Sequence, residues 1–507
     1  MKTIRIKNLR GLQDTGDIEL KPITMLVGAN SSGKSTFLRT FPLFKQGGTT
    51  YKQGPILWYG PEVDFGSYNE ALRKESKYME FSFSWDVIDR SVYFLDQHDY
   101  IKNVKCTIGI DKKDEDESYV NNVKVEIEGS HVIHMSIAKN GSMKVTINDV
   151  NCAEFDGISI VRQSGRFILP YFELEYEQDD SFINRFPYQK LATILVNVPA
   201  FHNKVKGKME ILPFSPSIAK PEDMLRETCE HYRVRYDEKI LLNDDWHRYC
   251  ALAILLRSRE LLSSIDKTLQ QEMGNVYYIK PFRASAERYY RQQNLAVRNL
   301  DSDGHNMAMF VANMYKNAKS EKEFQKWTRD YFKFELRPER IEGHVSLQIR
   351  DKLPKEDSEA ELREWRNITD LGFGYSQILP VILTLWQIIS QKRSTRERVG
   401  TCFAAYEQPE LHLHPKMQAE LMDAIVATVK YAKQKGIDVK VIIETHSQVM
   451  INRLGLRIAL DSDFSEEMAS VLLFDENNEA CNPRHASYTK DGHLTNWPIG
   501  FFEPDLN

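Results

Sequence analysis

The sequence has no CxxC pair: its six cysteines (Cys106, Cys152, Cys229, Cys250, Cys402 and Cys481) are scattered, which argues for reduced thiols and against a zinc site. It has no apolar run near the ~20 residues of a membrane span, and its start, MKTIRIKNLRG, lacks the hydrophobic stretch of a secretion signal. A cytoplasmic location with no membrane partner is therefore expected. Excess positive charge is missing too. A net charge of −5 and a pI near 6.3 give no global field to draw the chain onto nucleic acid, so any such contact must be a local patch. Sustained heptads are absent, and so are a nuclease's paired acids or histidine cluster. What is present is bulk: 507 residues, 42% of them hydrophobic, exceed the ~250–300 at which single cores stop growing, so two or three subdomains are expected.

The most informative stretch is Gly28 to Thr36, GANSSGKST, directly after the apolar run Ile23 to Val27. Strand, glycine-rich loop and helix start in that order form a phosphate-binding P-loop. Backbone N–H groups of such a loop converge on an anion, and the following helix adds roughly half a unit of positive charge at its N-terminus. Gly28 and Gly33 permit the turn, and Lys34 can reach the β- and γ-phosphates. Ser35 can place its hydroxyl on magnesium. Asn30, Ser31, Ser32, Gly33, Lys34, Ser35 and Thr36 are the expected nucleotide contacts.

Along the chain, residues 1–77 read as an N-terminal segment with an alternating strand at Lys2 to Leu9 and the P-loop. Residues 78–180 carry short alternating runs such as Glu80 to Trp85, Val123 to Ile127, His131 to Ala138 and Met143 to Ile147. These predict an antiparallel β-subdomain with Asn140-Gly141 as a hairpin turn. Residues 181–275 become helical and charged, with Leu252, Leu255, Leu256, Leu261 and Leu262 at helical spacing, and predict a helical insertion. The acidic run Asp111 to Glu117 and the basic run Lys392 to Arg398 read as solvated connections. Between Arg283 and Arg298, arginines interleave with Tyr289 and Tyr290, a pattern suited either to phosphates and bases or to an ordinary turn.

Residues 276–507 are dense in motifs. Asp370 to Pro380, DLGFGYSQILP, opens an apolar helix. Thr401 to Tyr406 is a buried strand running into Glu407-Gln408-Pro409-Glu410 and LHLHP, and the strand Val439 to Ile443 ends in Glu444-Thr445-His446-Ser447. Strands and helices alternate as in a parallel α/β layer, whose ligands lie at strand carboxyl ends. His412 and His414 lack a third metal ligand of matching context and read as structural. Asp461-Ser462-Asp463 has too little chain after it for a Toprim nuclease.

Together these motifs resemble the ABC-type ATPase heads of the RecF, SMC and OLD group. Gly28 to Thr36 matches the P-loop, Gly372 to Gln377 the signature, Glu407 the end of the Walker B strand and His446 the switch histidine. The HLHP run at His412 to Pro415 is similar to compact bacterial members, and the tail Asn496 to Phe502 to a DUF3696-type subset; several relatives, including the ATPases of Septu and retron systems, serve in antiphage defence. The resemblance implies an α/β fold: an ABC-ATPase head with a mixed or parallel sheet, an antiparallel β-subdomain and a helical insertion. It implies ATP and Mg²⁺ as cofactors. It also implies a homodimer with composite ATP sites, extendable to a higher oligomer, in which Gly374, Ser376 and Gln377 of one subunit meet the phosphate held by Lys34 of the other. Implied partners are an effector such as an HNH nuclease, or nucleic acid.

The sequence departs from the pattern at one place. Relatives carry two acids at the end of the Walker B strand, one for magnesium and one to polarise the attacking water, whereas here they are Glu407 and Gln408. Glutamine orients water but accepts no proton, and general-base action is typically worth ~10²- to 10⁴-fold, so slow hydrolysis is expected. That glutamine is either native or an introduced trap for the ATP state. Glu410 is the alternative base, and His446 the sensor of the γ-phosphate. Gln53 is the candidate for a further magnesium contact, with Gln46 and Gln163 in comparable contexts. The function the resemblance implies is a sensor and switch that dimerises on ATP and controls a partner effector nuclease in antiphage defence, and beside it stand two rivals: a RecF-type DNA-repair ATPase and a nearly inactive ATP-bound scaffold.

Overall fold

The computed structural model describes residues 1–49, 52, 54–90, 99–114, 117–127, 131–155, 158–163, 167–176, 186–206, 220–292, 297, 299–351, 364–390, 400–474 and 483–498. Gln53, Arg298, Cys481, the basic run at 392–398 and the tail from 499 lie outside the described residues.

A seven-stranded sheet organises the head. Its order is Val276–Ile279, Cys402–Glu407, Val439–Glu444, Ile23–Gly28, Ala469–Phe474, Arg484–Tyr488 and Leu494–Thr495. The first five strands are parallel and the last two antiparallel. The middle strands are buried on both faces, which is why they read as continuous apolar runs rather than alternating ones. Side chains still divide by parity. Ile23, Met25 and Val27 pack into one core with Val441, Ile443 and Tyr406, while Leu26 faces the other with Ile442, Phe403 and Leu472.

The second core is roofed by a nine-stranded antiparallel sheet. The predicted hairpins are there: Met79–Arg90 pairs with Asp99–Lys112, then Ser118–Ile127, His131–Ile137 and Met143–Ile147 follow in order. At the expected turn Gly141 takes φ +88°, and the Asn140 side chain accepts from the Ser142 amide. The N-terminal strand Thr3–Leu9 also pairs with Met79–Arg90, so the chain's first strand belongs to this sheet and only its fourth, Ile23–Gly28, to the P-loop sheet.

The leucine spacing after residue 247 materialises as the 31-residue helix Asp244–Gly274, whose N-cap Asn243 accepts from the Trp246 amide. It packs against both the P-loop helix Lys34–Thr49 and the strand Met79–Arg90, joining the two sheets. In its C-terminal half, Asp266 accepts the amides of Phe167, Ile168 and Leu169. A hairpin at Phe334–Ile341 and His344–Asp351, unforeseen from sequence because its outer half is polar and exposed, flanks the C-terminal core. Among the described residues, no helix is long and apolar enough to cross a membrane.

Candidate functional site

The P-loop begins with a contact that only glycine permits and turns through backbone angles that favour glycine. Gly28 sits at φ +147°, where a Cβ would lie 2.0 Å from the carbonyl oxygen of Phe474 on the neighbouring strand. Gly33 is at φ +101°, with a Cβ position 2.7 Å from Leu12. Ser31 also takes a positive φ, so the loop doubles back before the helix begins at Lys34. The Lys34 ammonium donates to the carbonyls of Gly28 and Ala29 across the loop.

Two strand ends meet this loop in register, because Glu407 pairs with Glu444 in the parallel ladder and Glu444 with Leu26. The P-loop helix addresses both carboxylates from one face, since Ser35 and Arg39 lie four residues apart. Ser35 donates to Glu444 Oε1 at 2.8 Å. Arg39 grips Glu407 through two bonds of 2.7 Å, and the Tyr278 hydroxyl adds a third at 2.6 Å. Glu407 is 2% exposed. Its charge holds the Arg39 guanidinium above the ordinary range, and burial followed by Glu407 raises the Tyr278 phenol.

Glu444 differs in its surroundings. Burial raises its carboxyl above the ordinary range, Ser35 opposes that, and neighbouring Glu407 adds to it. Its second oxygen, Oε2, is buried without a hydrogen-bond partner. Glu410 spends Oε1 on the Thr445 hydroxyl (2.7 Å) and the His446 amide (2.9 Å), which ties the turn after Cys402–Glu407 to the loop after Val439–Glu444. Its carboxyl is likewise raised by burial, against those hydrogen bonds and Arg283. The His446 ring is held below its ordinary value, first by partial burial and then by the Lys34 charge. Gln408 sits at the turn in a left-handed conformation, φ +42°, with its amide on the Glu444 carbonyl.

Arg283 turns out to be a structural clamp. It is 6% exposed and donates to the carbonyls of Gln377, Glu407 and Gln408, fastening the helix Phe373–Ser390 to the turn that follows Cys402–Glu407. Burial lowers its pKa to about 10, with Glu410 opposing. Arg288 is paired with Asp370. Two cations of the Arg283–Arg298 segment are thus committed inside the chain.

The other expected positions fall as follows. Asn30, Ser31, Ser32 and Thr36 lie in the loop and the first helical turn. Ser376, at 3% exposure, and Gln377 are buried in the first turns of their own helix, and Gly374 packs near His412 and Leu413 of the same chain. A contact from Ser376 to a second subunit therefore requires that helix start to open. Gln46 is a core residue, bonded to the backbone of Leu57 and Val63. His414 caps the helix Pro415–Gln434, and Asp461 and Asp463 pair with Lys430. No group of three or more potential metal-ligating side chains occurs among the described residues.

Sequence reasoning did not single out Arg39, Tyr278 or Glu444. For Arg39 and Glu444 a signal existed: one stands a helical turn past Ser35, the other ends a buried strand on the ligand side of the sheet.

Among solved structures the chain is similar to the SMC head domain from Thermotoga maritima (8% identity, 96% of this chain and 98% of that one covered, TM-score 0.34). It is also similar to the Smc head domain with an extended coiled coil from Pyrococcus furiosus (12%, 96% and 96%, TM-score 0.35). A third is the recombination mediator RecF (10%, 95% and 97%, TM-score 0.28). No curated protein matches the chain. The AAA ATPase domain family, AAA_15, matches residues 1–451. A match that takes in the P-loop, both strand-end carboxylates and His446 leaves one conclusion: the chain belongs to the AAA ATPase domain family.

Proposed function

We propose that the chain binds ATP with Mg²⁺ between the loop at Gly28 to Thr36 and the two strand ends, hydrolyses it slowly, and uses it to join two copies head to tail. The observation that carries this is the convergence of Lys34 and Ser35 with Glu407–Gln408 and Glu444–His446 on registered neighbouring strands. The residues fit the group: the loop offers amides, an ammonium and a hydroxyl, and Glu444 keeps a buried oxygen without a partner. A bound divalent cation neutralises charge developing on the transferred phosphate. Lys34 binds the phosphates, His446 reports the terminal one, Gln408 orients water, and Ser376 and Gly374 of the second copy close the site.

The output we assign is control of an effector, such as an HNH nuclease, in antiphage defence. It is supported by the motif order and the HLHP run, which resemble compact bacterial members of a group in which several relatives, including Septu and retron ATPases, serve in antiphage defence. RecF-type DNA binding through the Arg283–Arg298 segment has less behind it, because Arg283 is buried and Arg288 paired.

Light scattering with and without Mg·ATP tests the switch. The wild type dimerises with ATP and Lys34→Ala does not; a Lys34→Ala protein that still dimerises on ATP refutes it. Purification together with the products of neighbouring genes tests the output. An effector that co-purifies in the ATP state supports defence, and salt-sensitive, ATP-dependent DNA binding with no such effector supports repair.

A further inference from the structure

The two strand-end carboxylates differ in what they have left to offer. Glu407 has both oxygens committed, Oε1 to Arg39 Nε and the Tyr278 hydroxyl, Oε2 to Arg39 Nη2. A guanidinium in a bidentate fork is a strong, geometrically fixed partner, and a cation placed on the same carboxylate would have to displace it against like-charge repulsion. Glu444 is 4% exposed, holds the Ser35 hydroxyl with one oxygen, and has no partner for the other. A buried carboxylate oxygen left unbonded is costly and rarely kept without a ligand to satisfy it. Ser35 is the P-loop hydroxyl suited to a hard divalent cation, and such ions take oxygen ligands. The partner it has in this chain is Glu444.

We propose that Glu444, rather than Glu407, is the carboxylate that holds the nucleotide's divalent cation together with Ser35, and that Glu407 is a positioning residue that fixes Arg39 and Tyr278 beneath the site. This rests on the nucleotide assignment above and adds to it the residue that makes binding metal-dependent.

The test is the affinity of the full-length protein for a fluorescent ATP analogue, titrated once with Mg²⁺ and once in excess EDTA. The wild type binds more tightly with Mg²⁺. Glu444→Gln, which keeps the shape and the bond to Ser35, loses most of that gain, about 10- to 100-fold, while its affinity in EDTA stays within about threefold of wild type. Glu407→Gln keeps the Mg²⁺ gain. Retention of the gain in Glu444→Gln, or equal loss in Glu407→Gln, overturns the assignment. A wild type that binds no analogue in either buffer overturns the nucleotide reading itself, and the two failures are thereby distinct. Glu444→Asp keeps the charge should Glu444→Gln not fold. With the carboxylate drawn back by one methylene, its preference moves from Mg²⁺ towards the larger Ca²⁺, and an unchanged preference also overturns the assignment.

Discussion

Arg39 and Glu407 form a two-pronged ion pair, both N···O distances 2.7 Å, between the second turn of the P-loop helix and the end of the strand two places away in the sheet. The pair is asymmetric: Glu407 is sealed in, while the Arg39 side chain keeps about a third of its surface, 32%, in water. Removing the arginine therefore strands a buried charge, whereas removing the acid returns a cation to solvent. Arg39→Ala is expected to cost about 1–3 kcal/mol in urea unfolding. Adding Glu407→Gln to that variant should recover part of the loss, with a coupling of about 0.5–3 kcal/mol in the double-mutant cycle. Additive losses would show that the pair is energetically idle.

Gly28 and Gly16 separate backbone strain from steric collision. Both have positive φ, +147° and +64°, but a Cβ on Gly16 meets nothing within 4 Å, while one on Gly28 meets the Phe474 carbonyl at 2.0 Å. Gly16→Ala should cost about 1–2 kcal/mol, the left-handed penalty alone. Gly28→Ala should cost more than about 4 kcal/mol or prevent folding, because the P-loop strand must part from its neighbour. Equal unfolding midpoints for the two variants would contradict this.

Asp423 makes acid sensitivity predictable. It accepts from Arg453 and Arg457 at 2.6–2.7 Å. Burial alone would raise its carboxyl, but the two arginines outweigh burial and hold it below 3.8. The folded state then binds fewer protons than the unfolded chain, so the stabilisation is complete above about pH 5 and fades as pH falls through the unfolded and then the folded value. Asp423→Asn should lower the melting temperature at pH 7, and the difference between the two proteins should shrink as pH falls below the unfolded value in a thermal series. A constant difference across that range would assign the loss to packing.

Gln408 is expected to limit turnover. Gln408→Glu supplies a proton acceptor at the same turn and should raise steady-state phosphate release by up to ~10²- to 10⁴-fold. If Gln408→Glu gains nothing while Glu410→Ala abolishes release, Glu410 is the base. Because Glu410 also holds Thr445 and His446, thermal unfolding must show Glu410→Ala to be folded before that conclusion is drawn.

The sequence alone determined whatever depends on neighbours along the chain. Glycines flanking a short polar loop after an apolar strand specify a P-loop, alternation at residues 80–85 and 131–137 specifies hairpins, and leucines at helical spacing after residue 247 specify a helix. Tertiary structure decided what depends on which strand lies beside which. Only the order of the parallel sheet sets Glu444 on Ser35 and Glu407 on Arg39, 409 and 368 residues apart in the chain. Only packing turned Arg283 from a candidate phosphate contact into a buried clamp. Local composition records a side chain's chemistry, but its partners, and hence its charge and freedom, are fixed by strand register and burial.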